Sequence, residues 1–128
     1  MYHFTALVTL LAIAMFFSTA VYVAVARKNT GVKAPATSGH PDFERAFRIQ
    51  MNTLEWMPIF LPALWLFAIY IGDAVAAGIG AVWVIGRIVY FVGYAKAAEK
   101  RSAGFLIQTF AAFALWAGAL GAVAMRLV

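Results

Sequence analysis

The sequence predicts an all-α integral membrane protein, a four-helix bundle threaded up-down-up-down. Three observations carry that prediction. Of the 128 residues, 65% are hydrophobic and 12% are charged, where a soluble domain is nearer half apolar and about a quarter charged. So short a chain cannot hide the excess in a core, because a small domain must still coat much of its surface. Four apolar stretches, at about 4–27, 43–71, 74–97 and 103–126, each approach the ~20 residues that cross a bilayer. Backbone polar groups in lipid need partners within the chain, and the alternating pattern of a barrel is absent. The same composition excludes a disordered chain. With no cysteine, disulfides, thiolate metal sites and a cysteine nucleophile are excluded as well.

From Phe4 to Ala26 the first stretch carries no formal charge; it follows no basic residue and is too long for a signal-peptide core, so it reads as a retained span. Lys28 to Pro41 is the one substantial loop, with Gly31, Pro35, Ser38, Gly39 and Pro41 as turn formers. The second span opens inside the charged segment around Phe43. Pro58 and Pro62 follow; a mild kink that neighbouring helices tolerate is the first reading, and a bend that splays the cytoplasmic half outward and opens the pocket is the functional alternative. Ile71-Gly72-Asp73 reads as a tight turn with Asp73 as N-cap of the third helix. The third span is interrupted by Arg87, and Lys96 to Ser102 links it to a fourth that is uncharged from Ala103 to Met125. Gly78, Gly80, Gly86, Gly93, Gly118 and Gly121 suit close helix packing. Short connections make successive helices antiparallel, and residues 1–128 read as one membrane domain.

Orientation follows from the basic residues. Arg27, Lys28, Lys33, Arg45, Arg48, Lys96, Lys100 and Arg101 fall on one side of such a bundle, and Arg126 falls on the other. Eight against one places the termini outside and the basic loops in the cytoplasm. The net charge of +5 therefore points to topology or anionic ligands before nucleic acid. Compact ends without a retention signal lead us to expect a bacterial inner-membrane protein. His3 and His40 lie far apart near span ends, as interfacial residues rather than metal ligands.

The chemistry lies in polar residues where lipid would not tolerate them. At about 100° per residue, Arg48, Asn52 and Glu55 fall in a narrow stripe of the second helix, with Gln50 roughly opposite. On the third helix and just beyond it, Arg87, Tyr90, Tyr94 and Arg101 lie within about 60° of one another. Charges inside a span are costly unless paired or facing a cavity. An Arg–Glu pair that only locks the bundle would explain part of this, yet Arg48, Arg87 and Arg101 outnumber Glu55. The surplus calls for an anion. Several arginines suit carboxylates, Glu55 suits an ammonium, Asn52 and Gln50 suit amides, and Trp56, Tyr90 and Tyr94 offer flat walls. A small zwitterionic peptide with more than one carboxylate fits this inventory better than a nucleotide, and no glycine-rich phosphate loop is present.

FERAFRIQMNTLEWMPIFLPALWLFAIY followed by GRIVYFVGYAKAAEKR resembles the MAPEG family, the membrane-associated proteins in eicosanoid and glutathione metabolism. It is most similar to the branch of the microsomal glutathione transferases and leukotriene C synthase, over about residues 25–105. The resemblance implies a homotrimer of four-helix subunits with glutathione, as co-substrate, bound between adjacent subunits near the cytoplasmic face. By motif position, Arg48, Gln50, Asn52, Glu55 and Trp56 would hold it from the second helix, with Tyr90 and Tyr94 from the third. Arg27 and Lys28 match a basic pair that closes over the ligand. Arg101 matches the catalytic arginine that faces the thiol. Trp56 stands where the eicosanoid synthases carry tyrosine, and Lys28 replaces an arginine, so that clamp would be a point charge instead of a fork. No metal is implied.

The role of such an arginine follows from chemistry. A free thiol has a pKa of about 8.5, so only a few per cent is thiolate at neutral pH. A cation at ion-pair distance lowers that value by about one to three units, and arginine stays charged when partly desolvated. The expected activity is a glutathione S-transferase acting on hydrophobic electrophiles in the bilayer, a detoxifying conjugation. Glutathione-dependent reduction of lipid hydroperoxides is a second use of the same thiolate. Two alternatives stand beside it: a non-catalytic family member that presents a fatty acid to a partner enzyme, and a small transporter using the same buried charges.

Overall fold

A computed structural model describes residues 1–128 as four long helices and no strand: α1 (His3–Thr30), α2 (Pro41–Tyr70), α3 (Asp73–Lys96) and α4 (Ser102–Leu127). A single 3-10 turn, Ala98–Arg101, joins α3 to α4. Each long helix, the last counted with its 3-10 turn, is long and apolar enough to cross a membrane, and the chain is a multi-pass membrane protein.

Local chemistry sets the helix ends. α1 runs past its last apolar residue because Arg27 and Lys28 sit in the final turn, where the helix dipole favours cations. Gly31 then closes it in the left-handed region at φ 74°, its N–H donating to the Arg27 carbonyl at 2.9 Å. At the start of α2, Pro41 occupies the first turn, Asp42 and Glu44 face the positive end of the dipole, and His40 Nδ1 accepts from the Asp42 N–H at 3.1 Å. His40 is thus a helix cap. Asp73 departs from expectation. Gly72 takes the N-cap position of α3, while the Asp73 carboxylate accepts from the backbone N–H groups of Phe4 and Thr5 at 3.1 and 2.8 Å. It caps α1 and ties the N-terminal ends of the two helices together, because an α1 N-terminus without an acidic first turn has free donors to offer.

α2 and α3 occupy the centre, each packed against all the other helices, with α1 and α4 on the flanks. Phe60 stacks on Trp83 at 3.8 Å, and Val8, Ala12, Leu64 and Leu115 close the core around them. α3 and α4 meet backbone to backbone at Gly104: a Cβ there would collide with the Tyr90 main chain and the Gly86 carbonyl. α2 runs unbroken through Pro58 and Pro62, whose rings line an apolar groove with Trp116 and Leu120. Hydroxyls of the spans are satisfied internally. Thr19 donates to the Phe16 carbonyl at 2.6 Å, and Thr9 donates to the Thr5 carbonyl while accepting from Trp65 Nε1. Phe17, Ile85, Phe110 and Phe113 point outward, as lipid allows. Antiparallel threading gathers the C-terminal ends of α1 and α3 and the N-terminal ends of α2 and α4, hence most of the cations, at one end of the bundle.

Candidate functional site

At that basic end a cleft of about 630 Å³ opens between α2, α3 and the start of α4, within the size range of small-molecule sites. Arg48 and Asn52 line it from α2, Tyr90 and Tyr94 from α3, and Arg101 from the 3-10 turn. The helical spacing had placed these side chains on two stripes, and the bundle turns the stripes to face each other. Ser102, Phe105 and Leu106 complete the wall. These three were missed because the 3-10 turn interrupts the helical phase, so Arg101 could not be extrapolated onto α4. The Arg101–Phe105 spacing of one α-turn was the available signal.

The tyrosines form the floor, Tyr90 edge-on to Tyr94 with centroids 5.5 Å apart. Arg101 lies 5.5 Å from the Tyr94 centroid, and its Nη1 donates to the Ala98 carbonyl at 2.5 Å. The 3-10 turn thus holds its own guanidinium at the cleft mouth, where it is exposed. Arg48 Nη1 meets Glu55 Oε1 at 3.3 Å, with the two side chains 51% and 55% exposed. A pair that wet is weak, so a ligand carrying both signs can replace it, its carboxylate taking Arg48 and its ammonium Glu55.

Arg87 is corrected in role. It is buried and does not line the cleft; Asn52 and Thr53 take its two terminal nitrogens. The surplus charge presented to a ligand is therefore carried by Arg48 and Arg101. Trp56 also stands just outside. It packs edge-on to Phe105 at 5.7 Å and lines, with Ile59, Phe113 and Trp116, an apolar groove of about 300 Å³. Phe105 belongs to the cleft wall and touches Trp56 of the groove, so polar and apolar spaces adjoin.

Three expected residues lie away from this cleft within the chain. Gln50 does not line it, in keeping with its opposite helical phase. Arg27 donates to the Ala36 carbonyl at 2.8 Å and lies over the Phe43 ring at 4.5 Å, on the α1 side. Lys28 is exposed on the last turn of α1. Glu55 does not line the cleft either and meets it only through its pair with Arg48. A cleft with cations, an amide and aromatic walls, with a carboxylate at its edge and an apolar groove adjoining it, can bind a zwitterionic peptide and bring it against an apolar partner.

Comparison with known proteins agrees with this chemistry. A family model described as the MAPEG family matches residues 5–121. An uncharacterised Synechocystis protein is 48% identical over 95% of this chain and 89% of its own length. Human microsomal glutathione S-transferase 2 is 43% identical over 70% of this chain and 60% of its own length. Rat leukotriene C4 synthase is 41% identical over 75% of this chain and 64% of its own length. The match thus spans under two thirds of the transferase and of the synthase. With the profile extending across nearly the whole bundle, the chain belongs to the MAPEG family.

Proposed function

We propose that this protein is a membrane-bound glutathione S-transferase that conjugates the glutathione thiolate to hydrophobic electrophiles. The observation that carries the reading is the cleft itself: Arg48 and Arg101 without enough carboxylate to neutralise them, over a tyrosine floor, at the basic end of a membrane bundle. The relatives named as a glutathione S-transferase and a leukotriene C4 synthase fit it.

Glutathione's carboxylates pair with Arg48 and the neighbouring basic residues, its ammonium with Glu55, and Asn52 bonds its amide backbone. Its sulfur then lies toward Arg101. The guanidinium favours the anion, and the thiol proton leaves to water. The thiolate attacks carbon of an acceptor seated in the apolar groove beside Trp56, the new S–C bond forming as the leaving group departs with its electron pair. With a lipid hydroperoxide, the same sulfur attacks the outer oxygen to give a sulfenic acid and an alcohol. A second glutathione then yields the disulfide and water. No protein nucleophile is needed, since positioning and thiolate formation supply the catalysis.

Arg27, Lys28 and Gln50 enter this reading through an adjacent subunit of a homotrimer. None of the three lines the cleft of its own chain, and Arg27 is bonded to its own loop. The basic end faces the cytoplasm and the termini face outward, in a bacterial inner membrane.

The test uses purified protein in detergent with glutathione and a chromogenic aryl halide, beside Arg101→Ala. Conjugation by the parent and its loss in the variant, with glutathione binding retained, supports the assignment. Equal rates remove Arg101 as activator. The apolar groove would equally serve a fatty-acid presenter, and glutathione binding without turnover in either protein would favour that reading.

A further inference from the structure

Arg87 does not line the cleft, yet it holds a residue that does. It is fully buried and its surroundings are neutral. Nη1 donates to Asn52 Oδ1 at 2.9 Å, Nη2 donates to Thr53 Oγ1 at 2.7 Å, and the Tyr90 ring centroid is 4.2 Å from the guanidinium. The two ion pairs of the chain are Arg45–Asp42 and Arg48–Glu55, so no carboxylate offsets this charge. A cation buried in a span without a counterion is costly and by default marks function. Mere locking of α2 to α3 would be served by a neutral pair.

A guanidinium carries donors and no acceptor. The amide that faces it must present its oxygen, and this fixes the other half of the group: the Asn52 NH₂ is left for the cleft that Asn52 lines. Thr53 is committed in the same sense, accepting from Arg87 and donating to the Ile49 carbonyl at 2.7 Å. We propose that Arg87 is a positioning residue that sets the polarity of Asn52, so that the α2 wall of the cleft meets a peptide's carboxylate or carbonyl oxygen with donors only. Without Arg87 the amide is free to turn over and present its own oxygen, which a ligand oxygen repels. The inference rests on the glutathione reading and adds a residue that would not touch the ligand.

The experiment is a double-mutant cycle on the intact, detergent-solubilised protein. Glutathione affinity is measured by calorimetry in the parent, Arg87→Met, Asn52→Ala and the double variant, together with KM and kcat for aryl halide conjugation. Arg87→Met is expected to weaken glutathione binding about tenfold, the value of one hydrogen bond to a charged group, with the loss in KM and not kcat. In the Asn52→Ala background it should weaken binding little further, because the amide it acts through is gone. Arg87→Lys, which keeps the charge and a single donating nitrogen, should lose less than Arg87→Met. Should the methionine variant fail to fold, the lysine variant carries the same cycle. Losses equal in both backgrounds make Arg87 a structural residue and overturn the proposal while leaving the glutathione reading intact. A parent protein that binds no glutathione overturns both.

Discussion

Arg48 and Glu55 are half-exposed partners at 3.3 Å, and their worth to folding is small. In the proposed complex their worth to a zwitterionic ligand is larger, since each would take one of its charges. Glu55→Gln is therefore expected to leave thermal stability nearly unchanged while weakening glutathione binding about tenfold, the value of one charge-assisted hydrogen bond; calorimetry beside a melting curve separates the two. In the proposed reaction Arg101 acts on a proton equilibrium. A cation beside the thiol favours the anion, so conjugation should rise with pH through a midpoint below the ~8.5 of a free thiol and then level off. Arg101→Gln should raise that midpoint by about one to three pH units, losing most near neutral pH and converging on the parent under alkaline conditions. Identical pH–rate profiles for the two proteins would count against the assignment. The stripes of Arg48–Asn52 and Tyr90–Tyr94 were legible because helical phase alone decides which side chains share a face. Arg87 lies on the same face, but burial placed it behind the cleft, and only packing against Thr53 decided that.

At the level of helices, what holds the bundle is close backbone approach and a few terminal ties. Gly104 has no room for a methyl against Tyr90, so Gly104→Ala should force α3 and α4 apart. Overpacking of this kind costs about 1–3 kcal/mol, and it displaces Tyr90, so both the melting temperature and glutathione affinity should fall together. A variant as stable and as tight-binding as the parent would refute the contact. Asp73 gives a contrasting case. Its carboxylate holds two free N–H groups in the first turn of α1, those of Phe4 and Thr5, from across the bundle, far from the cleft. Asp73→Ala should lower the melting temperature in detergent without altering glutathione binding. Sequence reading identified Asp73 as a capping residue and chose the wrong helix, because capping from the preceding turn and capping across the fold use the same side chain.

For the whole molecule, the distribution of Arg27, Lys28 and Gln50 away from the cleft that holds Arg48 and Arg101 makes the proposed trimer testable by complementation. If each site is built from two subunits, co-expressing an Arg101→Ala chain with an Arg27→Ala chain gives mixed trimers in which some sites carry both wild-type residues. Such a preparation should regain conjugation that neither variant shows alone. Activity no higher than a mixture of the separately purified variants would mean that each chain is complete by itself, and native mass measurement in detergent would show whether three copies associate at all.

Composition and periodicity by themselves determined that this chain spans a membrane as four antiparallel helices, since hydropathy and helical phase are local quantities. They also determined which cations share an end. Tertiary structure decided which of those charges are available to a ligand. Arg48 and Arg101 reach the cleft, Arg87 is spent on neutral acceptors, and Arg27 is turned to its own loop. Burial and hydrogen-bond partnership depend on what the neighbouring helices bring to each side chain, and no single helix's sequence contains that.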